Sequence, residues 1–432
     1  MKYIKDLNSM LLQDFSSDFE LNNLISRPTE NISRVSNIVN KIEKDIIKRW
    51  DKAIKYLTKK LDKVSLDNFK VSKNEFDESD KYIDASLKKA ILLAKNNIQT
   101  FHERQKPKDL EPQETSKWVY CSKQFRAIEK VWLYIPGGTA PLFSTVLMLG
   151  IPAIIAGCKD IKICTPVNKY WKIAPEILYT AKILWIQNIF KIGWAQAIFA
   201  MAYGTEQVWK VDKIFWPGNA FVTEAKMKVS KFCAIDMPAW PSEVLVIADE
   251  FSNPKYVAAD LLSQCEHGED SQSVLICNDE KKINTIIKET QKQLKKLPRK
   301  NIATQSLKNS FAILVDNIDE AINISNEYAP EHLILQVKSW EQYISNIINA
   351  WSVFCWEYSP ESAGDYFSWT NHTLPTNWFA KSYSGIWLES FGKWITFQEL
   401  TKEWLKNIWS SIEKMASSEW LIWHKNAVSI RF

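Results

Sequence analysis

At 432 residues the chain exceeds what one hydrophobic core ordinarily organises, so two or more domains are expected. With 46% hydrophobic and 24% charged residues it has a soluble globular composition, and a net charge of +5 without a basic stripe or interleaved aromatics argues against nucleic acid as a partner. The longest apolar run, 145–157, is interrupted by Gly-Pro and is too short for a membrane span, the N-terminus is too polar for a signal peptide, and seven cysteines without a CxxC pair read as reduced thiols in a cytoplasmic protein.

Residues 1–28 read as an N-terminal arm. Apolar residues at helical spacing predict a helix over 35–63 and a second over about 79–104, and Pro107 and Pro112 mark a linker. From about 125 the pattern turns to strand, turn and helix in alternation. AIEKVWLYI is a strand, PGGTAPL a turn and FSTVLMLGIPAIIAG a buried helix, and the alternation continues to the helix NAFVTEAKMKVS. After 240 it resumes with EVLVIAD, SVLIC, FAILVD, HLILQV and SVFCW as strands, with helices at 254–267, 280–296, 317–327 and 338–349 between them. Such alternation implies α/β architecture with two doubly wound, Rossmann-like parallel-sheet domains. The expected division places 29–110 with 240–382 in one α/β domain and 111–239 in a second, nucleotide-side domain. Residues 383–432 read as a small, mostly helical C-terminal extension.

The stretch LLSQCEHGEDSQ (261–272) ends a helix closed by Gly268 and sets Gln264 and His267 on one face, where they could serve a metal. Two ligands do not complete a zinc site, so others must come from elsewhere. EYAPEHLIL sets Glu331 beside His332 at a strand start, a carboxylate and an imidazole of different basicity; as strand neighbours they point to opposite faces unless the chain turns there. ESAGDYFSWTNH gathers Glu361, Asp365 and His372 in one polar loop. Cys265 reads as a buried inert thiol. IPGGTAPL and FWPGNAFVTEAK each follow a strand and open a helix, a weak signal for pyrophosphate that a plain turn also satisfies.

Only 11 glycines accompany 20 tryptophans, and the two counts together match the glycine content of an ordinary chain of this length, about 30. Many tryptophans stand where a turn wants glycine, as in FWPGN, PAWPSE, IGWAQA and SWTNH. These contexts suggest UGA codons that the source organism reads as glycine.

In order and spacing, YIPGGTAPLFSTVLML, VDKIF-PGNAFVTEAK, IDMPA-PSEVLVIAD, DLLSQCEHG, YAPEHLI, SPESAGDY, TNH-LPT and HKNAV resemble the histidinol dehydrogenase family across nearly the whole chain, each dash marking a tryptophan where the family has glycine, or Thr373. The departures fall mainly on Trp132, Trp194, Trp216, Trp240, Trp351 and Trp369. The resemblance implies a zinc enzyme, one Zn2+ per subunit, that oxidises L-histidinol to L-histidine with two NAD through an enzyme-held histidinal. It implies Gln264, His267, Asp365 and His424 as metal ligands, His424 coming from the partner subunit of a homodimer with shared sites. It assigns Glu331 and His332 to catalysis. It adds Ser242, His372 and Glu419 to the substrate contacts, and Tyr134, Gln196 and Asn219 to the nucleotide. A zinc hydrolase, which would activate water on the metal, and a non-catalytic binding protein on the same scaffold are the alternatives.

Overall fold

The alternation closes into two parallel sheets of the same internal order, accompanied by a small antiparallel one. A computed structural model describes residues 2–4, 13–14, 25, 27, 32–137, 140–168, 170, 172–215, 220–237, 242–368, 370–374, 376 and 378–432. First come β1 (Lys2–Ile4), β2 (Gln13–Asp14) and helices α1 (Ile32–Arg49), α2 (Asp51–Leu61), α3 (Lys73–Glu78) and α4 (Ala85–Glu103). Strands β3 (Leu110–Ser116) and β4 (Val119–Ala127) form a hairpin. The first α/β run is β5 (Lys130–Tyr134), α5 (Phe143–Ala156), β6 (Asp160–Cys164), α6 (Pro175–Ile183), β7 (Asn188–Phe190), α7 (Trp194–Tyr203), β8 (Lys213–Phe215), α8 (Ala220–Val229) and β9 (Ala234–Ile235). The second is β10 (Glu243–Ala248), α9 (Pro254–Cys265), β11 (Gln272–Cys277), α10 (Glu280–Leu294), α11 (Lys300–Lys308), β12 (Phe311–Leu314), α12 (Ile318–Tyr328), β13 (His332–Gln336), β14 (Ser352–Cys355) and α13 (Glu361–Tyr366). The chain ends in β15 (Gly392–Leu400), α14 (Lys402–Ser418) and α15 (Ile422–Ser429).

The smaller sheet runs β7-β6-β5-β8-β9, all parallel. The larger runs β14-β13-β10-β11-β12 in parallel and is extended at one edge by antiparallel β1 and β2. Numbered by appearance, each parallel set reads 3-2-1-4-5, with its first strand central, as a doubly wound crossover requires. Strands β5 and β10 are apolar on both faces because helices cover both sides.

Several expectations need correction. Helices α1 to α4 pack on the five-stranded sheet and not on the larger one: Val39, Ile46, Ile54, Ile91 and Ile98 share a core with Val131, Leu133, Ile163 and Phe199. An apolar helix stripe shows that a helix docks and leaves open which sheet receives it. The helix predicted over 35–63 breaks at Trp50, whose φ of 49° and ψ of −127° no helix contains. The expected helix at 338–349 is a 3₁₀ segment, Trp340–Asn346, and 280–296 is followed by a separate α11. Besides its helices the C-terminal extension carries β15, which pairs along its whole length with β4.

Nine described residues other than glycine have positive φ, and seven of them are tryptophans: Trp50, Trp118, Trp185, Trp194, Trp356, Trp378 and Trp420. A bulky side chain in that region is an outlier, whereas glycine enters it freely. Among the described residues no helix is long and apolar enough to cross a membrane.

Candidate active site

The two sheets meet through opposite ends. The five-stranded sheet presents the carboxyl end of β5, from which the chain turns into α5 and brings Leu142, Ser144 and Thr145 to a cavity of about 100 Å³. The larger sheet presents amino ends: Ser242 precedes β10, His267 precedes β11, and Glu331 and His332 open β13. Glu331 and His332 thus stand at the strand start, on the amino side of the sheet. Helix α13 and the loop after it complete the wall with Glu361, Asp365 and His372.

Local sequence explains these placements. Asn253 caps α9 by accepting from the Lys255 amide (3.0 Å), and Pro254 occupies the first turn, so the helix delivers Gln264 and His267 at its far end. Helix α12 starts on Asn317, which accepts from Glu320 N, and stops at Ala329, whose backbone is left-handed (φ 52°), with Pro330 next. That stop is the turn the strand reading lacked: Glu331 lies just before the strand, so both it and His332 reach one cavity. Glu361 and Asp365, four residues apart on α13, share a helix face.

The His332 ring is held by its Nδ1, 3.3 Å from the Glu243 carbonyl oxygen and 3.3 Å from Glu361 Oε1. A carbonyl only accepts, so Nδ1 carries the hydrogen and Nε2 of the neutral ring keeps its lone pair. Burial pushes the His332 pKa down to about 4. The Glu331 carboxylate accepts from the Glu243 amide (3.0 Å); burial, with the charges of Glu243 and Asp365 adding to it, raises its pKa well above the usual range. Glu361 is raised likewise, by burial first and then by Asp365, Glu331 and Asp260. His372 donates from Nδ1 to the Asp365 carbonyl (3.1 Å) and accepts at Nε2 from the Thr145 hydroxyl (3.3 Å), a direct link between the two domains.

This crowd of buried carboxyls suits a cation. Ligand atoms of His267, Glu361 and Asp365 lie within 4.8 Å of one another. Gln264 is fully buried one turn before His267, and both polar atoms of its amide lack a partner, which costs stability unless something else satisfies them. An imidazole, carboxylates and an amide oxygen form a donor set suited to zinc. Burial lowers the pKa of His267, against the opposing pull of Asp365 and Glu266, so the ring nitrogen is available as a ligand.

Of the residues singled out from sequence, Ser242, His267, Glu331, His332, Asp365 and His372 line one cavity. Tyr134 and Gln196 lie on the five-stranded side. Tyr134 ends β5 with its hydroxyl accepting from Trp194 N (3.0 Å), and Gln196 is fully buried in α7 with both amide atoms unpartnered. Asn219 lies outside the described residues. Glu419 and His424 sit exposed at the C-terminal helices and do not line the cavity. Sequence reasoning named Glu361 in its polar loop without giving it a role, and left out Thr145 and Glu243. The spacing of Glu361 and Asp365 was a usable signal for the first, while the other two act through contacts between distant segments.

Comparison with known proteins gives the family. The histidinol dehydrogenase family model matches residues 25–432. The chain is 50% identical over 423 residues to the histidinol dehydrogenase of Bacteroides thetaiotaomicron and 49% identical over 427 residues to that of Bacteroides fragilis, covering 98% of this chain and 99% of each relative. A crystal structure of histidinol dehydrogenase from Elizabethkingia anophelis superimposes with a TM-score of 0.91 at 51% identity, covering 96% of this chain and 95% of that one. The chain belongs to the histidinol dehydrogenase family and is an oxidoreductase.

Proposed function

We propose that the enzyme oxidises L-histidinol to L-histidine in two steps, each reducing one NAD, through a retained histidinal, completing histidine biosynthesis in the cytoplasm. The observation that carries the reading is His332, its Nδ1–H fixed by a backbone carbonyl, beside Glu331, held by the Glu243 amide, in a cavity shared by both domains. His332 takes the alcohol proton as hydride leaves the carbinol carbon for the nicotinamide. Glu331, once ionised, takes a proton from the water that adds to the aldehyde, and hydride loss from the hydrate gives the carboxylate. Ser242 and His372 hold the substrate's polar atoms. Tyr134 and Gln196, on the five-stranded side, receive the nucleotide together with Asn219.

Gln264, His267 and Asp365 would hold a zinc ion, with His424 of the partner subunit as fourth ligand. A bound ion would supply a positive template for the substrate's imidazole and amine. The unpartnered Gln264 amide and the approach of His267 to Asp365 support this assignment. A homodimer is supported by the exposed C-terminal helices, where Met415, Leu421, Ile422 and Ile430 leave apolar surface beside Glu419 and His424. Histidinol added with NAD is expected to yield two reduced nicotinamides per histidine; product formed without nicotinamide reduction would instead point to a hydrolase.

We infer too that the positive-φ tryptophans are glycines in the natural polypeptide, their UGA codons being read as glycine. The support is conformational: seven of the nine outliers are this one residue type in a chain short of glycine. Peptide masses across residues 378 and 420 of protein from its own host test it, and intact indoles at both positions would end it.

A further inference from the structure

We propose that Arg27 is a positioning residue for the Glu331–His332 pair, acting through Glu243. Its guanidinium is nearly buried and grips Glu243 in a two-pronged ion pair, Nε to Oε2 at 2.8 Å and Nη2 to Oε1 at 2.7 Å. The same Nη2 donates to the Tyr328 carbonyl (2.6 Å) and, at longer range, to that of Ala329 (3.4 Å), while the guanidinium lies 3.7 Å from the centre of the Tyr328 ring. Tyr328 in turn donates its hydroxyl to Gln272, the first residue of β11.

One side chain thus ties together the amino end of β10 and the helix stop that precedes β13, the two segments whose register sets the catalytic pair. The backbone of Glu243 then touches both members directly: its amide donates to Glu331 Oε2 (3.0 Å) and its carbonyl receives the His332 Nδ1 hydrogen (3.3 Å). Without the guanidinium, Glu243 is a buried carboxylate with its main counter-charge gone, and two carbonyls at the turn lose a donor. Such a carboxylate draws in water or moves, and the backbone that aims Glu331 and His332 moves with it. Lysine supplies the charge without the planar fork, so it cannot hold the Glu243 pair and the turn carbonyls in this geometry.

The inference rests on reading Glu331 and His332 as the proton-transfer pair. In the zinc-loaded enzyme, Arg27→Ala is expected to keep cooperative unfolding and its metal content, to hold KM for histidinol within about 3-fold, and to lose about 100-fold in kcat. Added guanidinium ion at low millimolar concentration should restore part of that loss, and Arg27→Lys should recover little. Parental kcat in Arg27→Ala, or a loss that merely tracks the unfolded fraction, overturns the proposal. If Arg27→Ala does not fold, Arg27→Lys carries the same readouts, and parental kcat there overturns it. Should the parent enzyme itself fail to reduce NAD with histidinol, the functional reading falls instead, and crystal structures decide the inference: displaced Glu331 and His332 side chains in Arg27→Lys support it, unmoved ones overturn it.

Discussion

The two parallel sheets share one strand order and contribute opposite kinds of chemistry. The five-stranded sheet meets the cavity with the carboxyl end of its central strand, where the chain turns into a helix start, and the residues it sends are Leu142, Ser144 and Thr145, none of them titratable at ordinary pH. The larger sheet meets it with amino ends and sends His267, Glu331 and His332, joined by Glu361 and Asp365. Topology alone therefore does not say which end of a sheet works. On the first sheet the helix start left by a crossover invites a ligand. On the second, helix stops before β11 and β13 leave side chains free to converge, and the chemistry follows them.

Breaking the larger sheet's contribution should give the largest effect. His332→Ala is expected to lower the rate of nicotinamide reduction by about 10²–10⁴-fold with metal content unchanged. A rate near that of the parent would remove the chemistry from this side of the comparison.

A second test asks whether the larger domain also carries the pH dependence of stability. Asp260, on α9 and paired with Gln336 Nε2 (3.3 Å), has its pKa pushed up by burial from 3.8 to about 7. Below pH 3.8 the group is protonated folded or unfolded and costs nothing. Between 3.8 and about 7 only the unfolded chain ionises, so the parent loses stability as pH rises through that window and the loss then levels off. Asp260→Asn should remove this slope, matching the parent at pH 3.5 and exceeding it by about 2–4 kcal/mol at pH 8 in denaturant titrations. Parallel stability curves for the two proteins would show that the carboxyl ionises freely in the fold.

The five-stranded side should respond in binding. Gln196 holds two buried amide atoms without partners, so Gln196→Leu is expected to stabilise the nucleotide-free protein by about 1–3 kcal/mol and to weaken NAD binding in calorimetry. A destabilised variant with unchanged affinity would make the amide structural. The smallest effect belongs to the bridge between the regions: Thr145→Val removes the hydroxyl that meets His372 and should lower kcat/KM severalfold, about 0.5–1.5 kcal/mol, while Thr145→Ser retains it. Equal activity of the valine and serine variants would show that the domains communicate without this contact.

The alternation of strand and helix was legible because short continuous apolar runs such as EVLVIAD and SVLIC, which mark strands buried on both faces, are separated by longer stretches with apolar residues at helical spacing. Strand β15 was not, because almost every residue of it is exposed and so no alternation marks a buried face; its partner β4 lies some 270 residues away. The same distinction runs through the site. Gln264 and His267 were readable as a pair because a helix fixes their relation locally, and Glu361 with Asp365 could have been read in the same way. Glu243 gave no such sign, since it acts through its backbone on residues about ninety positions away and through Arg27 from the far N-terminus.

By itself the sequence determined the α/β alternation, the residue types of the site and the glycine deficit matched by excess tryptophan, because these are properties of local period, composition and short spacing. Only the tertiary structure decided that α1 to α4 belong to the smaller sheet, that the larger sheet works from its amino ends, and that Arg27 reaches the turn before Glu331. Those are choices between surfaces equally apolar or equally polar in sequence, and only packing of the whole chain separates them.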